Sequence, residues 1–185
     1  MQHTYRDEAE RRTWQNPEMI LAEAGVTVGD VFIDLACGFG FFAIPAAKIV
    51  GPKGVVCGVD IDKQALEELR EKAALVGLRN LRLRLAAAED VVLCEQCADK
   101  LFVGIALHDF KDPLKVLQNA SGALKTGGRL VNLDWKKEQT PFGPPLEIRF
   151  SEGEAVSLIK RAGFKVVSVK DSGPYHYVIS ANLLP

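Results

Sequence analysis

The chain lacks an excess of charge: 23 lysines and arginines stand against 24 aspartates and glutamates, a net charge of -1 over 185 residues. No global positive field is present to gather nucleic acid or an anionic membrane surface, so partners have to be argued locally. It also lacks an unbroken apolar run of membrane-spanning length, because its most apolar window, residues 31–50, contains Asp34, Gly38, Gly40, Pro45 and Lys48. The opening stretch, MQHTYRDEAERRTWQ, has no apolar segment of the kind a secretory signal needs, and a cytoplasmic protein is expected. Cysteine is scarce. Cys37, Cys57, Cys94 and Cys97 are too few to staple a chain of this size and read as small core residues. The spacing of Cys94 and Cys97 suits half a zinc site or a redox pair, but no second Cys or His pair lies nearby in sequence, and no metal is expected.

What the chain does have is material for one core. With 48% hydrophobic residues it fills a single domain, 1–185, and is too short for two. Strand-like and helix-like segments alternate, which predicts an α/β fold with helices on both faces of a doubly wound, Rossmann-like sheet of about seven strands. Strands are expected at 31–36, 55–60, 81–85, 100–106, 129–134, 165–170 and 175–181. Helices should start at Asn16-Pro17, Asp62, Asp112-Pro113 and Ser151, each a capping residue, and stop at Gly25, Gly77, Gly127-Gly128 and Gly163. The connection between the last two strands, DSGP, is too short for a crossover helix, so these strands should form an antiparallel hairpin in a mixed sheet. Arg82 and Arg84 alternate with leucines and face one way, which suits a guarded edge strand or, alternatively, an RNA contact.

In an open α/β sheet, ligands sit beyond the carboxyl ends of the strands where the strand order reverses. The turn ACGFGFF after the first strand lies at that point, and Gly38 and Gly40 remove side chains where a ligand approaches the backbone. Asp60 closes the second strand where a carboxylate for ribose hydroxyls is expected. The glycines alone also fit a dinucleotide fingerprint. Asp34 weighs against that, since a carboxylate here would repel a pyrophosphate but suits a ligand carrying an ammonium and a sulfonium.

DLACGFG, together with VVCGVDID, AAAEDVVL and LKTGGRLVNLD in that order, resembles the motif series of the class I S-adenosylmethionine-dependent methyltransferases, with Ala36 in place of the family's first glycine. The resemblance covers nearly the whole chain and lies toward small-molecule, quinone-biosynthesis C-methyltransferases. It implies S-adenosylmethionine as cofactor, bound by Asp34, Ala36, Cys37, Gly38, Gly40, Asp60, Ile61, Ala88 and Glu89, with Ala87 where the family often has an adenine-binding aspartate. The expected reaction is in-line methyl transfer to a small-molecule nucleophile. Alternatives are a non-catalytic cofactor-binding module, an RNA or protein methyltransferase, and a nicotinamide oxidoreductase.

Methyl transfer from a sulfonium mainly needs alignment and exclusion of water, with a base only for a protonated nucleophile. His108 is the first candidate base and Asp109 the second, both just after the fourth strand. Trp135 is placed to stack on a planar substrate or to fill a lid. Residues 135–150, with three prolines, should form that lid; residues 1–29, including Tyr5 and Trp14, should form a helical cap as the other wall. Lys136, Lys137 and Arg149 are candidates for an anionic substrate or plain solvated charges. Strand alternation would send Tyr175 and Tyr177 one way and His176 the other.

Overall fold

Asparagine, aspartate and serine caps start several of the helices, and alternating or continuous apolar runs set the strands. A computed structural model of the chain describes residues 8–91 and 94–184. In chain order the elements are α1 (Glu8–Arg12), α2 (Pro17–Glu23), β1 (Val31–Leu35), α3 (Ala43–Val50), β2 (Val55–Asp60), α4 (Lys63–Leu75), β3 (Leu81–Leu85), β4 (Ala98–Gly104), α5 (Pro113–Ala123), β5 (Leu124–Trp135), α6 (Glu152–Arg161), β6 (Phe164–Ser172) and β7 (His176–Leu183). The caps work as their chemistry requires: Asn16, Asp62, Asp112 and Ser151 each accept a bond from the first turn of the following helix, and Ser151 completes a capping box with Glu154.

The strands form one seven-stranded sheet in the order β3-β2-β1-β4-β5-β7-β6. β1 to β5 pair in parallel; β7 runs antiparallel to both β5 and β6. The last strand thus enters the middle, with its hairpin partner at the rim. β3 is the opposite edge, and its arginines are exposed while Leu81 and Leu83 pack inward. Ile33, Leu35, Leu101 and Val103 face α5 and α6 on one side of the sheet. Phe32, Val56 and Phe102 face α2, α3 and α4 on the other. Each such fully buried side chain contributes roughly 1.5–3 kcal/mol.

Several boundaries differ from the sequence reading. Gly127 and Gly128 do not end a helix: α5 stops at Ala123, and Leu124 already pairs with Ala98 of β4. Gly127, at φ +80°, instead bends the start of β5 beside the register shift between Ala98 and Lys100. β4 also ends early, at Gly104, because Ile105 turns to φ +59°. Tyr175 precedes β7 in the turn and sits with His176 against Trp135, while Tyr177 faces the α6 side and donates its hydroxyl to Phe150 O at 3.2 Å. Cys94 and Cys97 border the α5–α6 core but are joined to each other as a disulfide.

Candidate active site

β1 and β4 are neighbours, yet the chain leaves β1 toward β2 and β3 and leaves β4 toward β5, so the two C-terminal ends diverge and open a cleft. Its volume is about 850 Å³, and its walls include Arg11, Asp34, Gly38, Phe41, Asp60 and Ile105. That lies in the upper part of the range of roughly 300–1,000 Å³ for small-molecule sites.

The floor is backbone in unusual conformations. Ala36 lies at φ +59° and Gly38 at φ +50°, which lets Cys37 N–H reach Val59 O at 3.0 Å and carries the chain across the ends of the strands. Facing it, Ile105 also lies at φ +59°, its N–H bonded to Leu133 O at 2.7 Å. A β-branched residue in this region is an outlier held by its surroundings, and such strain gathers at ligand sites. Gly38 and Gly40 have different tasks. A Cβ at Gly38 would meet nothing within 4 Å, so the cleft has direct access to its backbone. A Cβ at Gly40 would overlap Leu69, and Gly40 does not line the cleft; it lets the turn pack on α4.

Two carboxyl groups distinguish the site. Asp34 is 2% exposed and its Oδ2 has no hydrogen-bond partner among the described residues. Burial, reinforced by the charge of Asp60 and opposed by that of Arg11, pushes its pKa up to about 8. At neutral pH without a ligand the group is therefore mostly a neutral acid, which corrects the expectation of a standing negative charge. Asp60 is tied down: its Oδ2 accepts Gly38 N–H at 2.7 Å and its Oδ1 accepts Asp62 N–H at 2.9 Å, joining the glycine turn to the end of β2.

Of the other residues singled out in the sequence, Ala36, Cys37, Ile61, Ala87, Ala88, Glu89 and Asp109 line the cleft. The wall of Ala88 and Glu89 is fixed from below by Asn119, whose amide donates to Glu89 O at 2.7 Å. His108 is elsewhere. A short 3-10 turn, Leu107–Asp109, buries Leu107 and His108, and of the three only Asp109 lines the cleft, at 65% side-chain exposure. The His108 side chain is 2% exposed, and its Nδ1 lies 2.6 Å from Asp134 Oδ1. Burial works against protonation of this imidazole, but the Asp134 hydrogen bond and the charges of Asp134 and Asp109 outweigh it, and the net direction is up.

The expected substrate walls are also rearranged. Trp135 is fully buried among Trp14, Phe142, Tyr175 and His176, so it is packing and offers no stacking face to the cleft. His176, with both nitrogens unpartnered among the described residues, has its pKa lowered to about 3, first by burial and then by the charges of Arg11, Arg149 and Lys136, and stays neutral. Arg149 is 5% exposed and donates to Pro144 O, Lys136 O, Glu138 O and Thr140 Oγ1; it staples the segment 135–150 to itself. Lys136 and Lys137 pair with Asp171 and Glu154. None of residues 135–150 lines the cleft. The cap contributes Arg11, whose guanidinium lies over Phe41 at 3.9 Å from the ring centre and donates to Gln15 at 2.8 Å. Tyr5 lies outside the described residues. Arg11, Phe41, Ile105 and Lys111 also line the cleft and escaped sequence reasoning; the aromatic doublet Phe41-Phe42 after the glycines was an available signal.

The chain belongs to the class I S-adenosylmethionine-dependent methyltransferase family: a family model described as a methyltransferase domain matches residues 27–163. It is similar to a crystallised SAM-dependent methyltransferase from Aquifex aeolicus, with 30% identity, TM-score 0.90, and coverage of 95% of this chain and 93% of that one. It is also 29% identical, over 71% of its length, to demethylmenaquinone methyltransferase of Staphylococcus aureus. The alignment covers 53% of that relative, so the chain spans about half the length of the curated proteins it matches. At 14% identity, geranyl diphosphate C-methyltransferase from Streptomyces coelicolor shares the fold, with TM-score 0.77 over 91% of this chain and 75% of the other. The cleft suits the family's cofactor. The orphaned Asp34 oxygen calls for a donor, and the open backbone at Gly38 admits a close ligand. No described helix is long and apolar enough to cross a membrane.

Proposed function

We propose that the protein transfers the methyl group of S-adenosylmethionine to a small-molecule nucleophile in this cleft. The observation that carries the reading is Asp34, a buried carboxyl with an unpartnered oxygen in the same wall as Gly38 and Asp60. Burying such a group without a partner costs about 1–3 kcal/mol, a cost a cationic ligand offsets. The cofactor supplies a methyl group already made electrophilic by its sulfonium. Asp34 would hold the ammonium end, and the backbone of Ala36, Cys37 and Gly38 would allow close approach. Asp60 would take ribose hydroxyls, while Ile61, Ala88 and Glu89 flank the base.

Asp109, exposed in the cleft at the end of β4, is the better placed of the two candidate bases for a protonated nucleophile. His108 acts behind it as a positioning residue, its Nε2 3.5 Å from Asp109 Oδ2. The same reading puts the reaction in the cytoplasm.

Calorimetry with S-adenosylhomocysteine and with NAD, followed by methyl-labelled turnover on a panel of phenols, quinols and amines, tests the proposal. Heat with S-adenosylhomocysteine and label in a small product are expected. Binding without turnover across the panel would favour a non-catalytic module, and NAD binding alone would overturn the reading.

A further inference from the structure

The segment that walls the cleft after β3 is tied to α5 along its first part and again at its return, and Lys115 of α5 adds an exposed ion pair to Asp90 Oδ1 at 3.1 Å. Its first part is held by Asn119, which donates to Ala88 O and Glu89 O at 3.4 and 2.7 Å. Its return is held where Gln96 N–H and Cys97 N–H bond to Gly122 O and Ala123 O, at 2.9 and 3.0 Å. The Cys94–Cys97 disulfide lies at this second place, around a turn in which Gln96 is held at φ +46°. A left-handed glutamine is a conformation that the surroundings must enforce. The bridge does so by closing the turn on itself.

The bridge is also within reach of solvent. Glu95 and Gln96 are exposed and both cysteines are half-buried, in contrast to Cys37, which is buried and whose thiol pKa is pushed up by burial. Reachable disulfides are the ones open to exchange, and buried thiols of raised pKa are inert.

We propose that Cys94–Cys97 is a reversible redox clasp on the cofactor wall, opened by a small or protein dithiol, and that opening it weakens cofactor binding. In the step, a thiolate of the dithiol attacks one bridge sulfur and breaks the Cys94–Cys97 bond. The second donor thiol then displaces the mixed disulfide. Two electrons and two protons pass to the protein, which carries two thiols, and the donor leaves as a disulfide. Gln96 relaxes, the tie at Gly122 and Ala123 loosens, and the strip Ala86–Val91 keeps its bonds to Asn119, Lys111 and Lys115 but loses the anchor at its return. The consequence for affinity rests on the cofactor reading above; the clasp itself does not.

The test compares full-length protein oxidised and reduced with dithiothreitol. Alkylation in denaturant followed by mass measurement should count two reactive thiols in the first state, Cys37 and Cys57, and four in the second. Amide exchange across residues 86–91 should quicken on reduction without any ligand. S-adenosylhomocysteine should bind the reduced protein roughly five-fold more weakly, the lower end of ordinary coupling between sites. The double variant Cys94→Ser/Cys97→Ser should match the reduced protein whether or not reductant is present. Four thiols in the oxidised sample, or unchanged exchange over 86–91, overturns the clasp. Faster exchange without any S-adenosylhomocysteine binding in either state would instead leave the clasp standing and sink the cofactor reading.

Discussion

His108 and Asp134 form a buried pair, imidazole Nδ1 to carboxylate Oδ1 at 2.6 Å, that joins the turn after β4 to the end of β5 beneath the cleft. Both side chains are 2% exposed or less, so removing the imidazole leaves a buried carboxyl whose Oδ1 keeps only the Trp135 N–H, at 2.8 Å. His108→Ala should cost about 3–5 kcal/mol, as broken buried pairs do. The sign of its pH dependence follows from the raised pKa. The pair's stabilisation is complete below the unfolded value near 6.5 and is lost as pH rises through the folded one. Thermal denaturation should therefore show a deficit for the variant that is largest below the unfolded value and shrinks as pH rises through the folded one, and a deficit that does not change with pH would refute an ionised pair.

Asp109 and His108 make opposite kinetic predictions although they are adjacent. Asp109→Asn changes only a group facing the cleft, and should lower kcat by about 10²–10⁴ if it acts as base, with S-adenosylhomocysteine affinity nearly unchanged. The corresponding loss in His108→Gln should be smaller and accompanied by lower stability. Full activity in Asp109→Asn would remove the base from the mechanism.

The floor strain gives a gain-of-stability test. Ala36 holds the position where the family has glycine, and φ +59° shows why glycine suits it. A left-handed non-glycine residue costs about 1–2 kcal/mol, and glycine's extra freedom in the unfolded chain takes back about 0.5–1. Ala36→Gly should thus raise stability by up to about 1 kcal/mol. Ile105→Gly should not, because the same relief is set against loss of a side chain only 6% exposed. Denaturant unfolding of the two variants checks the contrast.

How much of this was legible before folding depended on whether the signal was local. The strands 55–60 and 81–85 and the four caps were readable because alternation and capping are properties of a few neighbouring residues. That Asp34, Gly38 and Asp60 lie along one cleft was readable, because a strand-turn-helix with glycines fixes where its flanks point. The direction of His108 was not, since successive residues of a 3-10 turn point about a third of a revolution apart, which parts His108 from Asp109. Gly127-Gly128 was misread because a glycine pair after a helix-like run normally ends it, whereas pairing of Leu124 with distant Ala98 decided the matter. Arg149 carried the same lesson: a charge in a proline-rich loop looks solvated until its carbonyl partners are in view.

The Arg149 guanidinium satisfies four acceptors of its own segment and lies 5.0 Å from the Trp135 ring centre. Arg149→Lys keeps the charge but not the planar fork, so one ammonium cannot replace the set. It should destabilise by about 3 kcal/mol or more, in line with lost bonds to a buried charge. Looser packing of residues 135–150 should appear as a red shift in tryptophan fluorescence. Full stability in Arg149→Lys would show that charge alone holds this segment.

Asp34 supplies the sharpest link between chemistry and pH. With its pKa near 8, the carboxyl is protonated in about nine molecules of ten at pH 7, one unit below. A ligand ammonium binds the ionised form, so binding should release close to one proton at pH 7, and S-adenosylhomocysteine affinity should rise nearly ten-fold per pH unit up to about 8 before levelling. Folding shows the opposite trend. The unfolded carboxyl ionises near 3.9, so the empty protein is most stable below that value and loses stability as pH climbs toward 8. Asp34→Asn removes both effects. It should bind weakly with no pH slope, yet denature at a higher temperature than the empty wild type, by a margin that widens from pH 5 to 8. Calorimetry in buffers of different ionisation enthalpy would count the proton; a count of zero at pH 7, or an affinity slope that survives in Asp34→Asn, would mean that this carboxyl is not the group that meets the cation.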